Sequence, residues 1–220
     1  MTLAASGTLT LNGGSANRDV ATELGRAGTP VILNGSSSDA DVKTLIGYSS
    51  GSVVFPNDFY GRSSFTGSTV SKPGPDSGTV SPPAGANNVA IYIVAGGGRG
   101  GSGQNIDGDH QYGGGGGGSG QLVTYSGAAA SFSYSAGGPR TNSSVSGIGT
   151  ASAGPNGGDA NNADGAGAGD GTGGSGGNGG AGGGGQSTPV GTYGAGGAGG
   201  SPFTGGVEGQ QGIIVFVWSP

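Results

Sequence analysis

Apolar residues in this chain occur in short clusters, and the spacing inside each cluster sets the element it predicts. Within residues 1–66 the clusters predict a small mixed α/β module. Residues 8–11 and 30–33 read as short strands, and Asn34-Gly35 supplies a turn after the second. Residues 17–24 read as a helix that Ser15 or Asn17 can cap and Gly25 can end. Asp39 or Asp41 can start a second helix through Val42, Leu45 and Ile46, with Gly47 at its end. Residues 52–55 are again strand-like. Leu24, Val31, Leu33, Val42, Leu45, Ile46, Val54, Phe59 and Tyr60 give this module a modest core. A unit of that size is marginal alone, so it is expected to pack on a partner or self-associate.

Further along, three patterns predict strands. Residues 88–95 are rich in β-branched positions. In residues 122–134 alternation around Phe132 predicts a hairpin. Residues 212–218 are apolar at nearly every position, as in a strand covered on both faces. Residues 67–85 carry Pro73, Pro75, Pro82 and Pro83 among Ser, Gly and Thr, and read as a stiffened linker.

Between the strands lie runs of glycine with a different rhythm. In residues 173–185 only Ser175, Asn178 and Ala181 interrupt glycine, three apart. In residues 96–103 Arg99 and Ser102 are three apart, and in 194–200 so are Ala195 and Ala198. Residues 113–120 are nearly pure glycine. A period of three fits neither an α-helix nor a strand, but it is the repeat of a polyproline II-type helix. Bare backbone on the other two edges lets neighbouring helices approach closely. The predicted architecture for residues 86–220 is a bundle of polyglycine II helices with short strands at one end and few or no α-helices. If successive runs go up and down, the loops 104–112 and 186–193 fall together at the end away from the strands. That end would display Asn105, Ile106, Asp107, Asp109, His110, Gln111 and Tyr112 beside Thr188, Pro189, Val190 and Tyr193. Exposed Tyr, Ile and Val among polar groups suit a binding surface. The competing reading has Tyr112 and Tyr193 closing the ends of the bundle.

Composition supports the division. Glycine supplies 59 of 220 residues and makes up about a third of residues 86–220, without the strict period of collagen. There is no cysteine, so neither disulfides nor thiolate metal sites are available. The net charge is −5, and residues 86–220 oppose Arg99 and Arg140 to six carboxylates, which leaves no basic footprint for nucleic acid. His110 is the single histidine, so no histidine cluster or triad forms within one chain. Asp107, Asp109 and His110 could hold a divalent ion, although a polar loop explains them as well. No Gly-Lys-Ser/Thr follows any glycine run, and nothing apolar surrounds Asp159, Asp164 and Asp170 to raise a carboxyl pKa. The sequence therefore reads as a non-enzymatic protein with no cofactor and no resident metal. Its N-terminus lacks a secretory signal, and no stretch reaches the length of a membrane span.

Residues 89–98, 113–134 and 212–218, a strand entering a glycine block, a block leading to a hairpin and a closing apolar strand, resemble the C-terminal glycine-rich domain of many bacteriophage tail proteins. They also look like the distal tail-fibre adhesins of T-even-like Salmonella phages, though with fewer and less regular glycine segments. Residues 1–66 resemble an N-terminal module of phage tail proteins through Glu23-Leu24-Gly25-Arg26, Asp41-Val42-Lys43-Thr44-Leu45, Ser50-Gly51-Ser52-Val53 and Asp58-Phe59-Tyr60-Gly61-Arg62-Ser63. The resemblance implies a virion protein of the tail, docked through residues 1–66. It implies recognition of a host surface receptor, protein or glycan, through loops of the glycine domain. Its partners would be other virion proteins and that receptor, with self-association allowed. The alternative is a structural minor tail or capsid-decoration protein whose glycine domain is a rigid spacer. A third reading, ice or polysaccharide binding, needs a flat regular face, and Ser175, Asn178 and Ala181 offer one short edge.

Overall fold

In the computed structural model the described residues are 65–220 together with Val20 and Leu24. The remainder of the predicted N-terminal module lies outside them. Val20 is buried, and its carbonyl accepts from the Leu24 N–H at 3.0 Å, one helical turn apart. The chain divides into two compact units: residues 1–68, 82–89 and 218–220 form one, and residues 69–81 and 90–217 the other. Described residues of the first unit are tied by the Asn87 N–H on the Ser219 carbonyl and by the Asn88 side-chain amide on the Pro220 carbonyl.

Residues 65–220 contain twelve strands and no helix. One four-stranded sheet has the order β1-β12-β3-β6, from β1 (Ser68–Pro73), β12 (Ile213–Ser219), β3 (Asn88–Val94) and β6 (Leu122–Ala128). A second has the order β2-β7-β8-β9, from β2 (Asp76–Val80), β7 (Phe132–Ala136), β8 (Ser143–Val145) and β9 (Gly149–Ala151). β12 lies inside its sheet and is buried along most of its length, as its unbroken apolar run requires. Phe216 meets Phe132 and Tyr134 of β7 at ring-centroid distances of 6.2 and 6.1 Å. Ile213 and Val215, one residue out of phase, form a cluster with Val94 on the opposite face, closed by Tyr92, Leu122, Tyr193 and Val217. The Ser143 hydroxyl is fully buried, and it donates to the Val94 carbonyl and accepts from the Gly137 N–H.

The strand positions at 88–95 and 212–218 agree with the sequence. The hairpin over 122–134 does not form: β6 and β7 are consecutive strands in different sheets. The stretch 67–85 is not a free linker, because β1 and β2 occupy it and close one edge of each sheet. Its prolines sit where no ladder N–H is needed: Pro73 ends β1, Pro75 is in the turn, and Pro82 and Pro83 follow β2. Residues 137–163, unpatterned by composition, contain β8, β9 and a further extended segment.

The glycine-rich part comprises eight extended segments, not four. They span residues 96–103 (I), 113–120 (II), 152–160 (III), 165–168 (IV), 171–174 (V), 179–185 (VI), 194–200 (VII) and 204–210 (VIII). Successive segments alternate in direction. Segment II is the axis. Its N–H groups at Gly114, Gly117 and Gly120 donate to Gly200, Gly197 and Gly194 of VII. Those of Gly115 and Gly118 donate to Gly158 and Pro155 of III, and that of Gly116 to Thr172 of V. Its carbonyls accept from Gly98 and Gly101 of I, from Gly165 and Ala168 of IV, and from Gly180 and Gly183 of VI, all at 2.7–3.0 Å. The six neighbours also bond to one another in a closed ring, I to III, III to IV, IV to V, V to VI, VI to VII and VII to I. Segment VIII lies against I and VII. Every third residue of II thus addresses the same neighbour, and three edges are in use at once. A side chain on any edge would enter another backbone. A Cβ at Gly113, Gly115 or Gly116 would overlap the carbonyl of Asn178, Ala166 or Ala181.

The run 173–185 is not one rod. Ser175 and Asn178 pair across Gly176 and Gly177, whose φ angles of 55° and 85° turn the chain back into segment VI. Two successive left-handed residues form the tight reversal that glycine pairs favour. Ser175 and Asn178 therefore flank a turn and do not share an edge with Ala181.

Candidate functional site

Alternating segments place their connections at two ends. The connection between IV and V, the hairpin over 186–193 and the strands of both sheets lie at one end, the sheet end. The connections 104–112, 161–164, 175–178 and 201–203 lie at the other, the distal end. These four turns touch. The Asn162 N–H donates to the Gln104 side-chain carbonyl at 2.8 Å. Gly177, buried at φ 85°, rests against Gln111 and Pro202, so that a Cβ there would lie 3.2 Å from Gln111 Cβ and 3.4 Å from Pro202 Cγ. The Asp164 carboxylate accepts from the Gly113 N–H at 2.8 Å and the Gly176 N–H at 2.9 Å, joining two of the turns to the axis. Those backbone donors hold its carboxyl below the usual carboxylate range.

Loop 104–112 is a hairpin of β4 (Gln104–Asn105) and β5 (Gln111–Tyr112), with Gln104 opposite Tyr112 and Asn105 opposite Gln111. Its tip is held by its own polar groups. Asp107 accepts from the His110 N–H and faces the His110 ring at 2.9 Å, and the Asn105 side-chain oxygen accepts from Gly108 N–H. The His110 hydrogen bonds hold the Asp107 carboxyl below its ordinary value. Asp107, Asp109, His110 and Gln111 are exposed, Ile106 is 51% exposed, and Asn105 and Tyr112 are half-buried. Among the described residues no group of three carboxylates and histidines gathers that could hold a metal ion, and Asp107 is already engaged within its loop.

The second predicted loop lies elsewhere. Residues 186–193 form a hairpin of β10 (Gln186–Thr188) and β11 (Gly191–Tyr193) at the sheet end. Gln186 reaches the Ser119 hydroxyl there, and Tyr193 packs on the Val94–Ile213–Val215 cluster. Thr188 is tied within the hairpin through its hydroxyl on the Gly191 carbonyl, while Pro189 and Val190 are exposed. The structure therefore brings Asn105, Ile106, Asp107, Asp109, His110, Gln111 and Tyr112 together and sets Thr188, Pro189, Val190 and Tyr193 at the opposite end. The up-and-down rule placed 186–193 distally because segment III, which is poor in glycine, went unseen: with it six segments precede 186–193 and return the chain to the sheet end, whereas the two reversals at 169–170 and 175–178 cancel each other.

One distal residue escaped sequence reasoning. Phe203 is 82% exposed with φ 71°, at the tip of the turn between VII and VIII. A bulky residue in the left-handed region, with its ring in water, is unfavourable twice over, and such outliers collect at recognition sites. The signal in the sequence was a lone Phe after Pro202 in an otherwise small and polar loop. The four distal turns contain no Lys or Arg, and at the side of the bundle Arg99 and Arg140 both address Glu208, at 3.6 and 3.0 Å.

No protein-family model matches the chain, and a search of curated proteins finds no similar sequence. Among the described residues no helix is long and apolar enough to cross a membrane.

Proposed function

We propose that this protein is a bacteriophage tail-fibre or tail-tip adhesin whose glycine-rich segments are polyglycine II helices and whose distal turns recognise a host surface receptor. The helix assignment rests on the three-residue hydrogen-bond step and on glycine positions where a Cβ would overlap a neighbouring carbonyl. The adhesin reading rests on the sequence resemblance to phage tail proteins and above all on one observation: four turns converge at the distal end with Ile106 and Phe203 in solvent. Loops on a stiff scaffold are where recognition is usually built, and exposed aromatic and aliphatic anchors supply most of the energy of a contact. The proposed mechanism is binding alone. Residues 1–66 are proposed to dock the protein to the tail, with other virion proteins as partners.

The test compares the labelled full chain with an Ile106→Ser/Phe203→Ser variant for binding to host cells. Binding is expected to fall by roughly tenfold or more, as for loss of two interface anchors, with an unchanged unfolding midpoint. Equal binding by the variant would favour the spacer reading. Deleting residues 1–66 is expected to remove the protein from assembled particles; unchanged incorporation would refute the docking assignment.

A further inference from the structure

The second sheet has an outer face that the adhesin reading does not use. Cross-strand register places Ser77 opposite Ser135, Ser135 opposite Ser144 and Ser144 opposite Thr150, a row of four hydroxyls over all four strands. Thr79 lies opposite Ser133, and the Ser146 N–H donates to the Ser133 carbonyl, which adds a second row of three. Six of these seven residues are exposed, and Ser144 is half-buried. Neighbouring strands put hydroxyls about 4.8 Å apart within a row and the rows about 6.7 Å apart. A shallow, open depression of about 640 Å³ lies over β7, β8 and β9, with Ile148 and the β8–β9 turn along one side. Its lining holds no Lys, Arg, His, Asp or Glu. Tyr134, which also borders it, donates its hydroxyl to Asp76 at 2.7 Å.

We infer that this depression binds a neutral polyhydroxylated chain, an uncharged polysaccharide. Each serine and threonine hydroxyl both donates and accepts, as sugar hydroxyls do, so the two arrays can satisfy each other in many registers. An ionic ligand would find no opposite charge. An apolar partner, or a second copy of the same face pressed flat on this one, would strand hydroxyls away from water at about 1–3 kcal/mol each. Ile148 offers an apolar flank for the C–H surface of a sugar ring. The inference is independent of the receptor assignment, because the depression and the distal turns use different residues.

The experiment titrates the full chain with maltoheptaose, cellohexaose and laminarihexaose, with polygalacturonate as the charged comparison, and maps amide shifts by NMR. Saturable binding of a neutral oligosaccharide is expected, with shifts confined to residues 133–135 and 144–150. Ser135→Val with Ser144→Val, which keeps strand-forming residues, is expected to weaken it by roughly tenfold or more. Should that pair lower the unfolding temperature, Thr150→Asp serves instead, placing a charge at the edge of the depression with the same expected loss. Phe203→Ser is expected to leave oligosaccharide binding intact, which separates this site from the distal one. No saturable binding by any of the three neutral oligosaccharides, or tighter binding of polygalacturonate, would overturn the inference. So would shifts that follow protein concentration alone, since they would make the face a contact between copies.

Discussion

A methyl group at Gly116 would overlap the Ala181 carbonyl, a backbone atom held in its own hydrogen bond to Thr172. Neither partner can rotate away, so Gly116→Ala is expected to destabilise by roughly 3 kcal/mol or more, at the upper end for overpacked sites. Gly184 meets nothing within 4 Å, and Gly184→Ala is expected to stay within about 0.5 kcal/mol of the parent. Denaturant midpoints of the two variants check this contrast; equal losses would mean that glycine acts through chain entropy instead of close packing. Phe203 makes the opposite demand. Its left-handed φ of 71° carries a penalty of about 1 kcal/mol that glycine does not pay. Phe203→Gly is therefore expected to keep or raise stability while reducing cell binding. A variant that binds as the parent does would remove Phe203 from the site.

At the scale of elements, the segment with the most neighbours is also the purest in glycine. Segment II touches six others, and within it only Ser119 interrupts glycine. Segment III, in the ring, turns Asn156 and Asp159 toward segment I, where they accept from the Arg99 and Ser102 N–H groups. The purest run was legible as special, but its place at the axis was not, because composition shows which edges can be bare and not what covers them. The reversals at 169–170 and 175–178 were hidden for a related reason: inside glycine a turn needs no distinctive residue. β12 was legible because burial on both faces leaves an unbroken apolar run. β1 and β2 were not, since edge strands in solvent carry the Ser, Thr and Pro of a linker. Amide exchange is expected to be slowest at residues 114–118 and fast in 104–112; a uniform rate across the glycine segments would contradict the central position of II.

Asp164 ties two turns to the axis, and its contribution depends on pH. Backbone N–H donors lower its folded pKa below the unfolded value of about 3.9. Its stabilisation is therefore complete above about pH 4 and is lost as pH falls through the lower folded value. Asp170 behaves alike: burial is the largest influence and opposes its charge, but the hydrogen bonds from Ser119, its own N–H and Gly184 together outweigh burial and lower its pKa. Asp164→Asn is expected to flatten the acid limb of the urea midpoint between about pH 4 and pH 2, while Asp170 preserves part of it. An unchanged acid limb would show that the carboxylate is dispensable at the distal end.

Within the unit formed by residues 69–81 and 90–217, the strands and the distal turns lie at opposite ends. The sheets bury the large side chains, and the bundle carries the distal turns mainly on backbone hydrogen bonds, with Asp164 as a side-chain tie. Such a scaffold tolerates change at the exposed turn positions such as Ile106 and Phe203, whose side chains lie in solvent, but not at Asp164. Half of the predicted site, 104–112, stands where the sequence put it; the other half, 186–193, belongs to the packing of the sheet end. The most direct measurement is the adsorption rate of particles in which the loops of one end at a time are exchanged for Gly-Ser sequences of equal length. Exchange of 106–110 together with 202–203 is expected to abolish adsorption, and exchange of 188–191 to leave it near the parent rate. Adsorption that survives the distal exchange, or is lost only on exchange of 188–191, would contradict recognition at the distal end.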